Sequence, residues 1–233
     1  MSHTGPILEG IGRTDYERYV RVEELLRLQK PIEDLIHPEE RLFQTTHQTA
    51  EIWLKHIDYE IDRAAAAIVA TEPEEAADLL ERSTKLLDLL RAQIVILETM
   101  APADYHVIRV SSLGRGSGQE SPGFQKLLDV GRRVWPPFEA LLSRKGLTVI
   151  EIERKPRDHR ELFRLIQGML NYDSAFMKWR YTHMRLAMRI IGSKVMSLKS
   201  VPVAQLEVGT REALFPVLWD NISNLTGEFK PEY

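Results

Sequence analysis

The chain has 233 residues, 43% hydrophobic and 28% charged, with a formal net charge of −3 and no cysteine. That is the balance of a packed globular chain. It excludes a disulfide framework, a thiolate metal site and a cysteine nucleophile. Charges of both signs are interspersed, so nothing favours nucleic acid or an anionic membrane surface, and no apolar stretch reaches membrane-spanning length. The first residues lack the basic and apolar runs of a secretory signal, which with the absence of cysteine gives a cytoplasmic expectation.

In chain order, residues 1–37 read as an N-terminal arm and a lead-in helix, and 38–233 as a single all-helical domain. YERYVRVEELLRLQKP (16–31) places Tyr16 and Tyr19 on one face, and Pro31 ends the lead-in. Pro38-Glu39-Glu40 opens a long helix to about Ala70, as proline and acids in a first turn favour. Its stripe is Phe43, His47, Ala50, Leu54, Ile57, Ile61, Ala64 and Ile68, a seam for packing on other helices. Glu51 and Lys55 read as an outward i,i+4 pair. Thr71-Glu72-Pro73-Glu74 reads as a capping box for a second helix that runs to about Ala101 and packs antiparallel to the first.

A short helix follows over ADYHVIRV (103–110), then the glycine- and serine-rich segment 111–123, either a lid or slack. FQKLLDVG (124–131) predicts a short helix and Pro136-Pro137 the start of another. LTVIEIE (147–153) alternates like a strand with nothing to pair with, so it is expected to be extended or irregular. Helix resumes near Asp158, with a break near Asn171, and leads into Phe176–Ser193 with Gly192 as its stop. There Phe176, Trp179, His183, Leu186, Ala187 and Ile190 share one face, and Lys178, Thr182, Arg185 and Arg189 the other. The tail, VGTREALFPVLWDNISNLT (208–226), predicts one more amphipathic helix. The fold class is therefore all-α.

Two long helices thus each carry a histidine, His47 and His183, on an apolar stripe. A buried imidazole must hydrogen-bond or bind something, and a core histidine bonded to a carbonyl is the plain reading for either one alone. A di-iron bundle needs Glu-x-x-His pairs, a zinc protease His-Glu-x-x-His, a zinc site three or four clustered ligands, and a serine hydrolase a nucleophile elbow. None is present in the sequence. A haem pocket fits better, since it needs one axial imidazole and an otherwise apolar slot.

Five blocks resemble the tryptophan 2,3-dioxygenase family, in the family's order. LFQTTHQTAEIWLKHI (42–57) resembles its LF-x-x-THQ-x-x-E-x-W-x-K motif, and ILETMAPADYHVIR (96–109) its ILETM…D-F…F-R block. SPGFQ (121–125) resembles its SGFQS, and WRYTHMRLAMRIIGSKV (179–195) its W-R-x-x-H…R-x-IG-x-K block. YERYVRVEELLRLQ (16–29) resembles its N-terminal tyrosine block. The resemblance implies a helical bundle enclosing haem b, with His183 as the axial iron ligand and His47 as the distal histidine facing substrate. It implies Phe43 and Tyr105 in the substrate-pocket wall, Arg109 on an amino-acid carboxylate, and Tyr16 reaching into a neighbouring subunit's pocket. A homo-oligomer, dimer or tetramer, follows from that last role. The implied activity is an O2-dependent oxidation of tryptophan or a related indole at C2–C3.

The sequence also departs from the family. Where the family carries a glycine-rich GTGG-[ST]-SG substrate loop, this chain reads VMSLKSVPVAQLEVGT (195–210). The 111–123 segment is longer and richer in glycine than its counterpart, and Arg115, Ser117 and Ser121 are candidate substitute contacts. These departures leave open a monooxygenase acting on an indole or another aromatic amino-acid derivative, and a haem-binding sensor without turnover.

Overall fold

The computed structural model describes residues 5–114, 116, 118–193 and 209–229. Among these no strand forms, and the architecture is all-α. The lead-in divides into α1 (Asp15–Val20), opened by a Thr14–Glu17 capping box, and α2 (Val22–Leu26), separated by Arg21 in the left-handed region. Two long helices then run antiparallel, α3 (Glu40–Val69) and α4 (Pro73–Ile96). After α5 (Pro102–Ser111), α6 (Pro122–Leu127), α7 (Val130–Lys145) and α8 (Val149–Arg154) comes the longest helix, α9 (Arg160–Ile190), and then α10 (Pro216–Glu228).

The main core fills the space between α3, α4, α7 and α9. The predicted α3 seam is buried from Leu54 through Ile57, Ile61 and Ala64 to Ile68. It meets Leu80 and Leu87 of α4, Phe138 of α7, and Ile166 and Phe176 of α9 in one apolar cluster. A smaller second cluster joins Ile94, Leu97, Met100, Ile108, Leu186 and Ile190 at the other end of α4 and α9.

Ion pairs fix how the helices sit. Asp58 accepts from Arg133 Nη1 at 2.7 Å and from Lys126, tying α3 to α6 and α7. Glu60 is buried and accepts from Arg82 Nη1 at 3.1 Å, tying α3 to α4. Asp173, fully buried on α9, accepts from the Leu214 and Phe215 amides at 3.0 and 3.1 Å and from Trp219 Nε1 at 3.0 Å, which docks the start of α10.

Several local expectations are corrected. Thr71 does not cap α4. It sits in the left-handed region (φ 67°) just after Ala70, the C-terminal cap of α3, where its amide reaches Ile68 O at 3.1 Å and the Glu72 amide reaches Ala67 O at 2.9 Å. That paired closure reverses the chain. Residues 149–154 are helical rather than extended, because Thr148 and Glu151 form a capping box and Val149 and Ile152, three apart, are buried. Pro136 and Pro137 lie inside α7 rather than at its start. The burial of Val130, Val134, Phe138 and Leu141 holds the helix together across the two missing amide donors. α9 runs through Asn171 without a break, with Tyr172 and Asp173 buried just after it. The tail helix begins only at Pro216, since the preceding amides are held by Asp173. Gly192 does stop α9, at φ 97°.

Candidate active site

Between the two apolar clusters lies a cavity of about 700 Å³, within the range of small-molecule and cofactor pockets. The N-terminal half of α3, the end of α4, α5 and the C-terminal half of α9 form its walls. The turn at Gly118–Glu120 and the start of α6 line it as well. His47 and His183 both line it.

His47 faces the cavity from α3. Its Nδ1 lies 2.7 Å from the Phe43 carbonyl one turn earlier. A carbonyl only accepts, so Nδ1 carries the proton and Nε2 keeps a lone pair. The His47 ring is open to the cavity rather than enclosed, yet desolvation by the protein around it lowers its pKa, opposed by that carbonyl and by Glu51, so the ring is neutral near pH 7. The Phe43 ring packs 4.1 Å from the His47 ring and 5.9 Å from Tyr105. Tyr105 lies on α5 one turn before Arg109, and both line the cavity. Burial raises the Tyr105 pKa, against the neighbouring Arg109 charge, so the phenol stays protonated.

His183 faces the same space from α9. Its ring stacks on Trp179 with centroids 5.6 Å apart and planes within 4°. Burial, then the nearby His47, push its pKa down to about 4. The ring is therefore neutral at pH 7, the form that ligates iron.

The cavity residues fit a haem. Trp179 Nε1 and Gln93 Oε1 are buried without a hydrogen-bond partner, and such polar atoms are suited to meeting a bound group. Leu90, Ile94, Leu97 and Leu186 supply an apolar slot beside a neutral imidazole. The Gly118 turn passes near that imidazole: a Cβ added there would stand 3.8 Å from His183 Nε2.

Not every expected residue converges here. Tyr16 and Tyr19 are 71% and 82% exposed, and neither lines this cavity of the single chain. Ser121 does line it, whereas Arg115, Ser117 and most of the segment in place of the glycine-rich loop (194–208) lie outside the described residues. Glu51 is not an outward partner of Lys55. It lines the cavity and receives hydrogen bonds from Ser121 and Gly123. Glu40 also escaped the sequence reading. It is buried and accepts from Lys30 Nζ at 3.1 Å and the Ile36 amide at 2.8 Å. Burial opposes its charge, but Ser112, Ile36 and Lys30 together hold its pKa below the ordinary value. It thereby joins the lead-in and the end of α5 to the base of α3.

The sequence has counterparts among known proteins. A family model described as tryptophan 2,3-dioxygenase matches residues 2–134, more than half of the chain. The chain is 30% identical to the tryptophan 2,3-dioxygenase of Caulobacter vibrioides, over 88% of this chain and 95% of that one. It is 27% identical to the enzyme of that name from Xanthomonas oryzae pv. oryzae, over 94% and 91%. It is 26% identical to that of a Bradyrhizobium species, over 89% and 91%. The Caulobacter alignment runs over 254 residues, longer than this whole chain, while taking in only 88% of it. That relative therefore carries segments with no counterpart here.

Proposed function

Because the chain belongs to the tryptophan 2,3-dioxygenase family, a family of oxidoreductases, we propose that it is a haem-dependent oxygenase that oxidises an indole at C2–C3. Tryptophan or a tryptophan-derived indole is the substrate in this reading, and O2 the oxidant. The observation that carries it is the pair of neutral histidines on opposite helices facing one largely apolar cavity.

His183 is the residue that would hold the iron, its lone pair kept available by its depressed pKa. A haem b held there supplies the binding and activation of O2. The remaining work belongs to side chains. Nε2 of His47 is an acceptor because Nδ1–H is committed to the Phe43 carbonyl, so it receives the indole N–H and sets the ring's orientation. Phe43 and Tyr105 bracket the aromatic plane. Arg109, on the same wall, pairs with a substrate carboxylate. The apolar lining excludes water, which keeps competing hydrolytic and proton-transfer reactions out.

Tyr16, exposed on its own chain, is assigned to the pocket of a second copy, which makes the working protein a homo-oligomer. Residues 38–233 are the catalytic unit and 1–37 the arm that reaches the neighbour. No helix among the described residues is long and apolar enough to cross a membrane, and a cytoplasmic site of action suits the substrate and cofactor.

A monooxygenase outcome is the second reading, favoured by the loss of the glycine-rich substrate loop. Reaction in heavy-isotope O2 with tryptophan and substituted indoles separates the two by product mass. Two heavy atoms mean dioxygenation and one means monooxygenation. Product carrying neither, or no substrate-dependent oxygen uptake, would falsify the oxygenase reading and leave a haem-binding sensor.

A further inference from the structure

Glu51 stands one turn after His47 on α3, and both of its oxygens are committed to the segment entering α6. The Ser121 hydroxyl donates to Oε1, and the Gly123 amide donates to Oε2 at 3.2 Å. Ser121 Oγ also accepts the Phe124 amide at 3.0 Å and so caps α6. Gly123 is buried against α3. A Cβ there would stand 2.6 Å from Leu54 Cβ and 2.9 Å from Glu51 Oε2. The first of these atoms is fixed to the helix backbone, so only glycine permits this approach.

The next residue carries the contact onward. The Phe124 ring lies 5.2 Å from that of Trp179, and Trp179 stacks on His183. One carboxylate on the helix of His47 is therefore the first member of a contact chain ending at the ring of His183.

We infer that Glu51 is a positioning residue that locks residues 121–124 onto α3 and, through Phe124 and Trp179, fixes the orientation of the His183 ring. A carboxylate suits the task because it offers acceptors to two donors at once, and hydrogen bonds to a charged acceptor are the strong ones. The identification of His183 as an iron ligand rests on the proposed function, whereas the lock itself does not.

The test begins with haem-free protein. In Glu51→Ala, amide exchange at Gly123 and Phe124 accelerates by roughly tenfold or more, the size expected for losing charge-assisted bonds, while the amides of α4 keep their protection. The Trp179 indole and His183 ring resonances shift in the same variant. Glu51→Gln, which keeps one acceptor, gives a smaller effect of the same sign. Gly123→Ala, which keeps the Glu51 side chain but pushes the segment off Leu54 and Glu51, reproduces the shifts. Unchanged exchange at Gly123 and Phe124 overturns the lock. Faster exchange with unmoved Trp179 and His183 signals overturns the link to the histidine. Failure of the wild-type protein to take up haem would count against the proposed function and leave these readouts intact. In loaded protein, the Glu51→Ala Soret maximum shifts and KM for the indole rises more than kcat falls, a pattern that a uniform loss of folded protein does not produce.

Discussion

Toward its C-terminus α3 buries Ile57, Ile61, Ala64 and Ile68 in a closed seam, and the carboxylates beside it, Asp58, Glu60 and Asp62, all have cationic partners. Toward its N-terminus the same helix presents Phe43 and His47 to a cavity. α9 divides likewise: Leu165, Ile166 and Met169 are fully buried, whereas Trp179 and His183 face the open space. The closed half pairs its carboxylates from within. The open half leaves Trp179 Nε1 and Gln93 Oε1 without partners. A core built only for stability has no use for that arrangement, since unpaired buried polar atoms destabilise it. The Tyr172 hydroxyl is an exception, buried and unpartnered in the closed half, and nothing in the structure explains it.

The sharpest way to break this comparison is to truncate one side chain in each half. Ile61→Ala, at a fully buried position, is expected to lose about 2–5 kcal/mol of stability in urea denaturation of haem-free protein. Leu186→Ala, in the cavity wall, loses less, because one side of that residue already lacks packing partners. An equal or larger loss at Leu186 would mean the cavity is closed in solution.

Next in size is Arg109→Gln. Removing a charge-assisted contact worth about 1.5–3 kcal/mol raises KM for a carboxylate-bearing indole by roughly 10- to 100-fold. The haem spectrum stays as in wild type. A KM unchanged for such substrates would move Arg109 out of the substrate site.

Near the ordinary histidine pKa, a pH profile reads the two cavity histidines, since desolvation depresses both. The folded pKa of His183 lies near 4, below its ordinary value of 6.5, so between those values the unfolded chain binds more protons than the folded one. The stability of haem-free protein is then fully present above about pH 6.5 and falls as pH drops toward 4. His183→Ala flattens that slope. The depressed pKa of Glu40 adds a further loss at lower pH, below its ordinary 4.5. An identical slope in the mutant would show that His183 titrates normally.

The smallest effect belongs to the surface. Arg154 pairs with Glu228 across two exposed side chains, and Arg154→Ala leaves the urea midpoint within error of wild type.

The helical class and the two histidines were legible because both are written in periodicity: a polar ring on an apolar stripe stands out at steps of three and four. The blocks around His47, Arg109 and His183 carried the family. Features that depend on what a residue meets across space were not legible. Thr71 precedes Glu-Pro-Glu as a cap would, yet the tight reversal between α3 and α4 puts it at the end of the first helix. The alternation of residues 147–153 suggested a strand, although the Thr148–Glu151 spacing was a helix-start signal within the same stretch. Glu51 fits a helical ion pair with Lys55 by spacing alone, and only the approach of Gly123 reveals its other use. The glycine in SPGFQ was the one hint available, since a glycine that must lie against a helix implies something on that helix to meet it.

The most direct measurement is haem titration of the purified protein followed by its absorption spectrum, beside His183→Ala. The account predicts one haem per chain with a sharp Soret band in wild type. In the mutant that band is weakened or shifted, with an unchanged far-ultraviolet circular dichroism spectrum. Absence of specific haem uptake, or a mutant spectrum identical to wild type, would contradict the assignment of His183 and of the cavity.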